Sequence, residues 1–135
     1  MPLTIPASRH KYGAKPVTVD GIRFHSTKEA ARYGELKLLL KAGDARQLRL
    51  QPRYALIPLT GDPRGLRDVN AATWTMKVLP VAYYVADFEY EESDRGYGGI
   101  KWSLVVEDSK GVKTEVYKLK KRWFEAQYGI RIRET

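Results

Sequence analysis

Cysteine is absent from the 135 residues. That excludes disulfides, thiolate zinc sites and a cysteine nucleophile, and it fits a reducing compartment. Histidine is nearly as scarce: His10 and His25 are the two in the chain and cannot build a histidine-rich metal site. Long apolar runs are missing as well. No window approaches the ~20 apolar residues of a membrane span, and the opening MPLTIPASRHKYGAK lacks the continuous apolar stretch of a signal peptide. The expectation is a cytoplasmic protein with no membrane partner.

What is present is ordinary material for a folded domain, 43% hydrophobic and 30% charged residues. One domain of this length buries a working core without staples. Lys and Arg number 24 against 16 Asp and Glu, a net charge of +8. An excess of this size favours polyanionic partners through counterion release. Simple solubility accounts for the same excess.

Residues 1–16 are basic and carry three prolines and a glycine. They read as a flexible arm ahead of a single domain over residues 17–135. VTVDGIRF, residues 17–24, alternates around Asp20-Gly21 and predicts a hairpin. A helix follows, with Ser26 at the N-cap, Glu29 three residues on, and Gly43 as the stop. Residues 47–59 predict a strand or a bent pair, with Pro52 and Pro58 at an edge, a bulge or an end. TGDPRGLRDVN, residues 60–70, is a loop, and strand-like ATWTMKVL (72–79) and VAYYVADFEYE (81–91) come next. SDRGYGG (93–99) predicts a flexible turn and IKWSLVVEDS (100–109) a further strand. Residues 114–128 are helical, and IRIRE (130–134) closes as a short strand. The order implies an α/β or α+β domain, a central mixed sheet flanked by helices.

VVEDSKG, residues 105–111, places Glu107, Asp108 and Lys110 where a buried strand would otherwise continue. Strand alternation puts Asp108 and Lys110 on one face and Glu107 on the other. Asp-x-Lys is therefore a unit in which a carboxylate can hold a hard cation while an ammonium orients water or stabilises a phosphoryl oxygen. Taken alone, so short a string reads first as a solvated ion pair. Asp87 follows an apolar run where a surface acid is unexpected, and a fold-back through residues 93–99 would bring it near Asp108. Local capping is the alternative. Glu89, Glu91 and Glu92 read as a solvated stretch. Glu29 completes a capping box with Ser26, yet it also shares a helix face with Tyr33, Leu36 and Leu40, the face turned to the sheet.

On the second helix the pattern assigns Val116, Leu119, Trp123 and Ala126 to a buried face and Lys118, Lys121 and Arg122 to an exposed one. The exposed face is either solvated or a contact for phosphates. Lys120 falls inside the apolar arc, where it snorkels or points toward the acids.

Glu29 on a first helix, ADF at 86–88, and VVEDSKG ending a strand before a second helix together resemble the PD-(D/E)xK nuclease superfamily. Within it the chain looks closest to small phage endonucleases, among them a little-characterised phage family of nuclease-like proteins and the junction-resolving endonuclease I enzymes. KYGAK, VDGIRFHSTKEAARYGELKLL, LQPRYALIP, YVADFEY, VVEDSKG and YKLKKRWFE look like signatures of the former and cover most of residues 11–133. The resemblance implies a restriction-endonuclease-like core and Mg²⁺- or Mn²⁺-dependent hydrolysis of phosphodiester bonds that leaves a 5′-phosphate. It makes Glu29 similar to the first-helix glutamate that helps hold a second metal, Asp87 to the metal-bridging aspartate, Asp108 to the second acid and Lys110 to the motif lysine. Ala86 stands where a proline is usual, and Glu107 offers a competing ligand.

On this reading Arg9, His10, Lys11 and Lys15 of the arm, with Lys118, Lys121 and Arg122, hold backbone phosphates. No reader of base edges is evident, which suits recognition of DNA shape, such as a branch or Holliday junction. Related resolving enzymes imply a homodimer. Two other readings stand: a non-catalytic nucleic-acid-binding or phage assembly protein that keeps the fold, and a nuclease of another specificity.

Overall fold

Asp20 and Gly21 both take positive φ, 52° and 75°, the requirement of a tight two-residue hairpin turn. The computed structural model describes residues 14–57 and 80–135, and this turn joins its first two strands, β1 (Val17–Val19) and β2 (Ile22–Phe24). The Ser26 hydroxyl then accepts the Glu29 N–H and starts α1 (Thr27–Ala42), which Gly43 ends at φ 79°. Glu29, Ala30, Tyr33 and Leu36 are the buried positions of α1, a spacing of three and four that lays one stripe on the sheet.

The stretch after α1 is the bent pair. β3 (Ala45–Leu50) and β4 (Arg53–Leu56) are separated by Gln51, at φ 48°, and Pro52. β4 pairs with β5 (Ala82–Val85), while β3 pairs with β6 (Phe88–Gly96). β6 returns as β7 (Gly99–Asp108), and β8 (Ile132–Glu134) joins β7 in parallel after α2 (Glu115–Tyr128). The result is a mixed four-stranded sheet, β3-β6-β7-β8. Strand alternation divides its two faces. Phe88, Tyr90 and Val105 pack with Tyr33 and Leu36 of α1, whereas Val106 and Ile132 pack with Tyr117 and Phe124 of α2. The chain is thus an α+β domain with a central mixed sheet flanked by two helices. Among the described residues no helix is long and apolar enough to cross a membrane.

Four expectations change. The turn expected over 93–99 shrinks to Tyr97 and Gly98, because the strands stay paired out to Gly96 and Gly99. Asp94 stands opposite Lys101 there, a charge pair that favours continued pairing. The acids after Asp87 are not a solvated stretch: Glu89 is buried against Arg49 (2.9 Å) and the Tyr54 hydroxyl, Glu91 pairs with Arg46, and Glu92 with Arg133 at 2.9 Å. The α2 face is rotated from the expected one. Val116 and Leu119 are 62% and 60% exposed, Ala126 is exposed and Trp123 half-buried, whereas Tyr117 and Phe124 are buried. Phe124 meets Tyr54 and Tyr84 at centroid distances of 4.7 and 5.3 Å, and aromatic rings bury more area than the aliphatic side chains they displace. Finally, Lys121, expected on the free face, is half-buried with its ammonium on Glu134. The expected strand over 72–79 and the whole loop over 60–70 lie outside the described residues, as do Arg9, His10 and Lys11.

Candidate functional site

Asp87 sits at the kink between β5 and β6, and its backbone is held from both sides. Its N–H donates to the Glu107 carbonyl at 3.1 Å and its carbonyl accepts from Gln51 N–H at 2.9 Å. The side chain cannot drift far from β7. One carboxylate oxygen, Oδ2, accepts the Ser109 N–H at 2.6 Å.

Glu29 reaches the same place from the first turn of α1. Its Oε2 accepts the His25 N–H at 3.1 Å, while Ser26 caps the Glu29 N–H at the same distance. The capping box therefore closes one residue earlier than its usual form, and the glutamate is a cap. It is also more than a cap: the residue is 3% exposed and Oε1 has no hydrogen-bond partner among the described residues. Burial, followed by the nearby charge of Asp87, holds the Glu29 carboxyl above the usual carboxylate range.

A cavity of about 430 Å³ brings Glu29, Asp87 and Lys110 together, with His25, Ser26 and Ser109 on its wall. Asp108 is fully buried beside it. Its Oδ2 accepts the Tyr84 hydroxyl at 2.5 Å, and its Oδ1 lies 3.3 Å from Lys110 Nζ in a geometry that makes no hydrogen bond. Burial pushes the Asp108 carboxyl up to about 6; the Tyr84 hydroxyl and Lys110 lower it and the charge of Asp87 raises it. Asp87 thus stands electrostatically between Glu29 and Asp108.

Two of the three expected carboxylates share the cavity with the lysine, and the third lies next to Asp87 but is turned to Tyr84. Among the described residues no three Asp, Glu or His side chains are grouped as a metal ion would require. Glu107 is not a competing ligand. It points to the α1 face, where Arg32 takes both its oxygens and the Tyr90 hydroxyl donates at 2.9 Å. Lys120 is half-buried and lines a second cavity together with Lys110.

Of the expected phosphate contacts, Lys15 and Arg122 are exposed, and Lys118 is exposed and paired with Glu115 at 3.0 Å. Tyr84, Ser109 and Arg32 were not evident as site residues. Each acts on an acid 22 or more positions away, and no local pattern carries such a pairing.

The donor chemistry fits a hard divalent cation. Carboxylates are the ligands magnesium and manganese prefer, and Glu29 Oε1 and Asp108 Oδ1 are buried acceptors without a hydrogen bond. A buried acceptor left unpaired costs about 1–3 kcal/mol, more when charged, and the positive charge of a cation brought to it would offset that. Glu29, Asp87 and Asp108 are the residues that would hold it.

The family described as protein of unknown function (DUF1064) matches residues 9–133. No curated protein matches the chain, and neither does any solved structure.

Proposed function

The chain belongs to the DUF1064 family, and we propose that it is a Mg²⁺- or Mn²⁺-dependent endonuclease that hydrolyses phosphodiester bonds in DNA. One observation carries the reading: two buried carboxylate oxygens, on Glu29 and Asp108, lack hydrogen-bond partners among the described residues, both acids feel the charge of Asp87, and the Lys110 ammonium lies 3.3 Å from Asp108. Clustered buried acids are unfavourable in a structural role, and their cost falls when they hold protons or when a cation is added.

Glu29, Asp87 and Asp108 would hold a divalent cation there, which would supply that charge and stabilise charge developing on a phosphoryl oxygen. The chain's own residues do the rest. Asp87, pinned through its backbone, fixes the centre of the cluster, and Glu29 closes it from α1. Lys110, partly exposed at the cavity mouth, orients the attacking water or donates to the phosphate oxygen as water adds and the 3′-oxygen leaves. The product is a 5′-phosphate. Convergence of all three carboxylates on one ion belongs to the proposal, since the structure holds two of them in the cavity. So do a restriction-endonuclease-like ancestry, a branched or junction substrate, a homodimer, a phage setting and a cytoplasmic location.

The turn of Asp108 toward Tyr84 favours a second reading, a non-catalytic nucleic-acid-binding or phage assembly protein that retains the fold. Supercoiled plasmid, linear duplex, single strands, a four-way junction and RNA, each with Mg²⁺, Mn²⁺ or EDTA, separate the two. The proposal expects cleavage that depends on metal and is strongest on the junction. No cut on any substrate with either metal would leave the second reading.

A further inference from the structure

A second cavity, of about 400 Å³, adjoins the first and shares Lys110 and Val112 with it. β5 and α2 wall it, through Tyr83 and Val85 on the strand and Val116, Tyr117 and Lys120 on the helix. Three features set it apart from a packing defect. Its apolar groups face solvent: Tyr83, Val85, Val112 and Val116 are 39–62% exposed, although a neighbouring aromatic core could have taken them. Among the described residues its charged groups are two lysines, with no acid in the lining. The Tyr117 side chain lies on its wall, and its buried hydroxyl has no hydrogen-bond partner among the described residues. The Tyr83 ring is braced by the Arg53 guanidinium, 3.8 Å from its centroid.

We propose that this cavity receives the sugar and base of an unpaired nucleotide next to the phosphate held at Lys110, so that the substrate is DNA with unstacked nucleotides on the strand being cut. The inference rests on the nuclease reading and specifies its substrate. An apolar, aromatic wall matches a base, and the two lysines among the lining residues match its neighbouring phosphates. A base inside a duplex is stacked and paired and cannot enter, whereas one at a branch, flap or single-stranded segment can. Lys120, which the acid cluster leaves without a role, here becomes a phosphate contact.

The test is fluorescence anisotropy in EDTA with three labelled oligodeoxynucleotides of one length: a single strand, the same strand made abasic, and a blunt duplex. The abasic strand keeps every phosphate and removes only the bases. The full-length protein should bind the intact strand at least about fivefold more tightly than the abasic one, the lower end for one base stacked on an aromatic ring. Tyr83→Ala should erase that preference without changing abasic affinity, and Lys120→Ala should weaken both strands alike. Equal affinity of the wild-type protein for intact and abasic strands would overturn the proposal. So would a preference that survives Tyr83→Ala, or a dimer that Val116→Asp splits, which would give the face to a second copy. Plasmid cleavage with Mg²⁺ is read separately: base preference without cleavage removes the nuclease reading alone, and cleavage without base preference removes the cavity assignment alone.

Discussion

Arg32 and Glu107 form a two-point ion pair across the α1–sheet interface, Nε to Oε1 at 2.5 Å and Nη2 to Oε2 at 3.0 Å, with the carboxylate fully buried. Arg32 is one helical turn after Glu29, and Glu107 directly precedes Asp108, so the pair ties the helix that carries one candidate ligand to the strand that carries another. Arg32→Ala leaves a buried charge unpaired and should lower stability by about 3–5 kcal/mol. Arg32→Lys should recover only part, because an ammonium cannot match both oxygens. Arg32→Met combined with Glu107→Leu should lose less than Arg32→Ala alone. Urea unfolding midpoints measure all three, and a loss under about 1 kcal/mol for Arg32→Ala would mean that solvent replaces the pair.

Lys110→Ala should lower the cleavage rate by about 10²-fold or more, the scale for removing one group that stabilises transition-state charge. DNA affinity should fall by no more than the share of one phosphate contact, and the unfolding midpoint should change little, because the lysine is partly exposed and its contact with Asp108 makes no hydrogen bond. Cleavage at the wild-type rate would take Lys110 out of the chemistry. Unfolding of the variant would make it a structural residue instead.

Much of this was legible in the sequence because its signals are local. Ser26 and Gly43 mark the ends of α1, Asp20-Gly21 the first hairpin, and alternation along β7, which ends at Asp108, separates Asp108 from Glu107. The double use of Glu29, as cap and cavity acid, also followed from its position on the helix face. What failed depends on residues distant in sequence. The orientation of α2 is decided by Tyr54 and Tyr84, brought from two other strands to meet Phe124. The partners of Glu89 and Glu107 lie 40 and 75 positions away, and the hydroxyl that turns Asp108 lies 24 away.

Metal should stabilise the folded chain whether or not it cleaves. Binding to the native state alone adds about 2.7 kcal/mol at a hundred times Kd, a rise of several degrees in the thermal midpoint for a domain of this size. Asp87→Asn and Glu29→Gln should each remove most of the rise given by Mn²⁺. Glu107→Gln should lower the starting midpoint yet keep the rise, because Arg32 and Tyr90 already occupy that carboxylate. An equal rise in the wild-type protein and Asp87→Asn would place the ion elsewhere.

Asp108 gives the metal-free protein a pH dependence of definite sign. Its folded carboxyl is pushed up to about 6 from an ordinary value of 3.8, with burial the largest cause. The folded state therefore holds the proton more tightly than the unfolded chain. The corresponding stabilisation is complete below about pH 3.8 and is lost as pH rises through about 6, a swing of up to about 3 kcal/mol. Glu29, also raised, adds in the same direction. Glu92, held low by Arg133, and Glu134, held low by Lys113 and Lys121, oppose it, since their stabilisation is lost as pH falls. A raw stability curve mixes both signs, so the useful quantity is the difference between Asp108→Asn and wild type in EDTA. The wild type should gain relative to the variant as pH falls from 7 to 4, and urea unfolding at each pH reads that gain. A difference flat across this range would mean that Asp108 ionises in the fold as freely as in the unfolded chain, and the electrostatic case for a cation beside it would go with it.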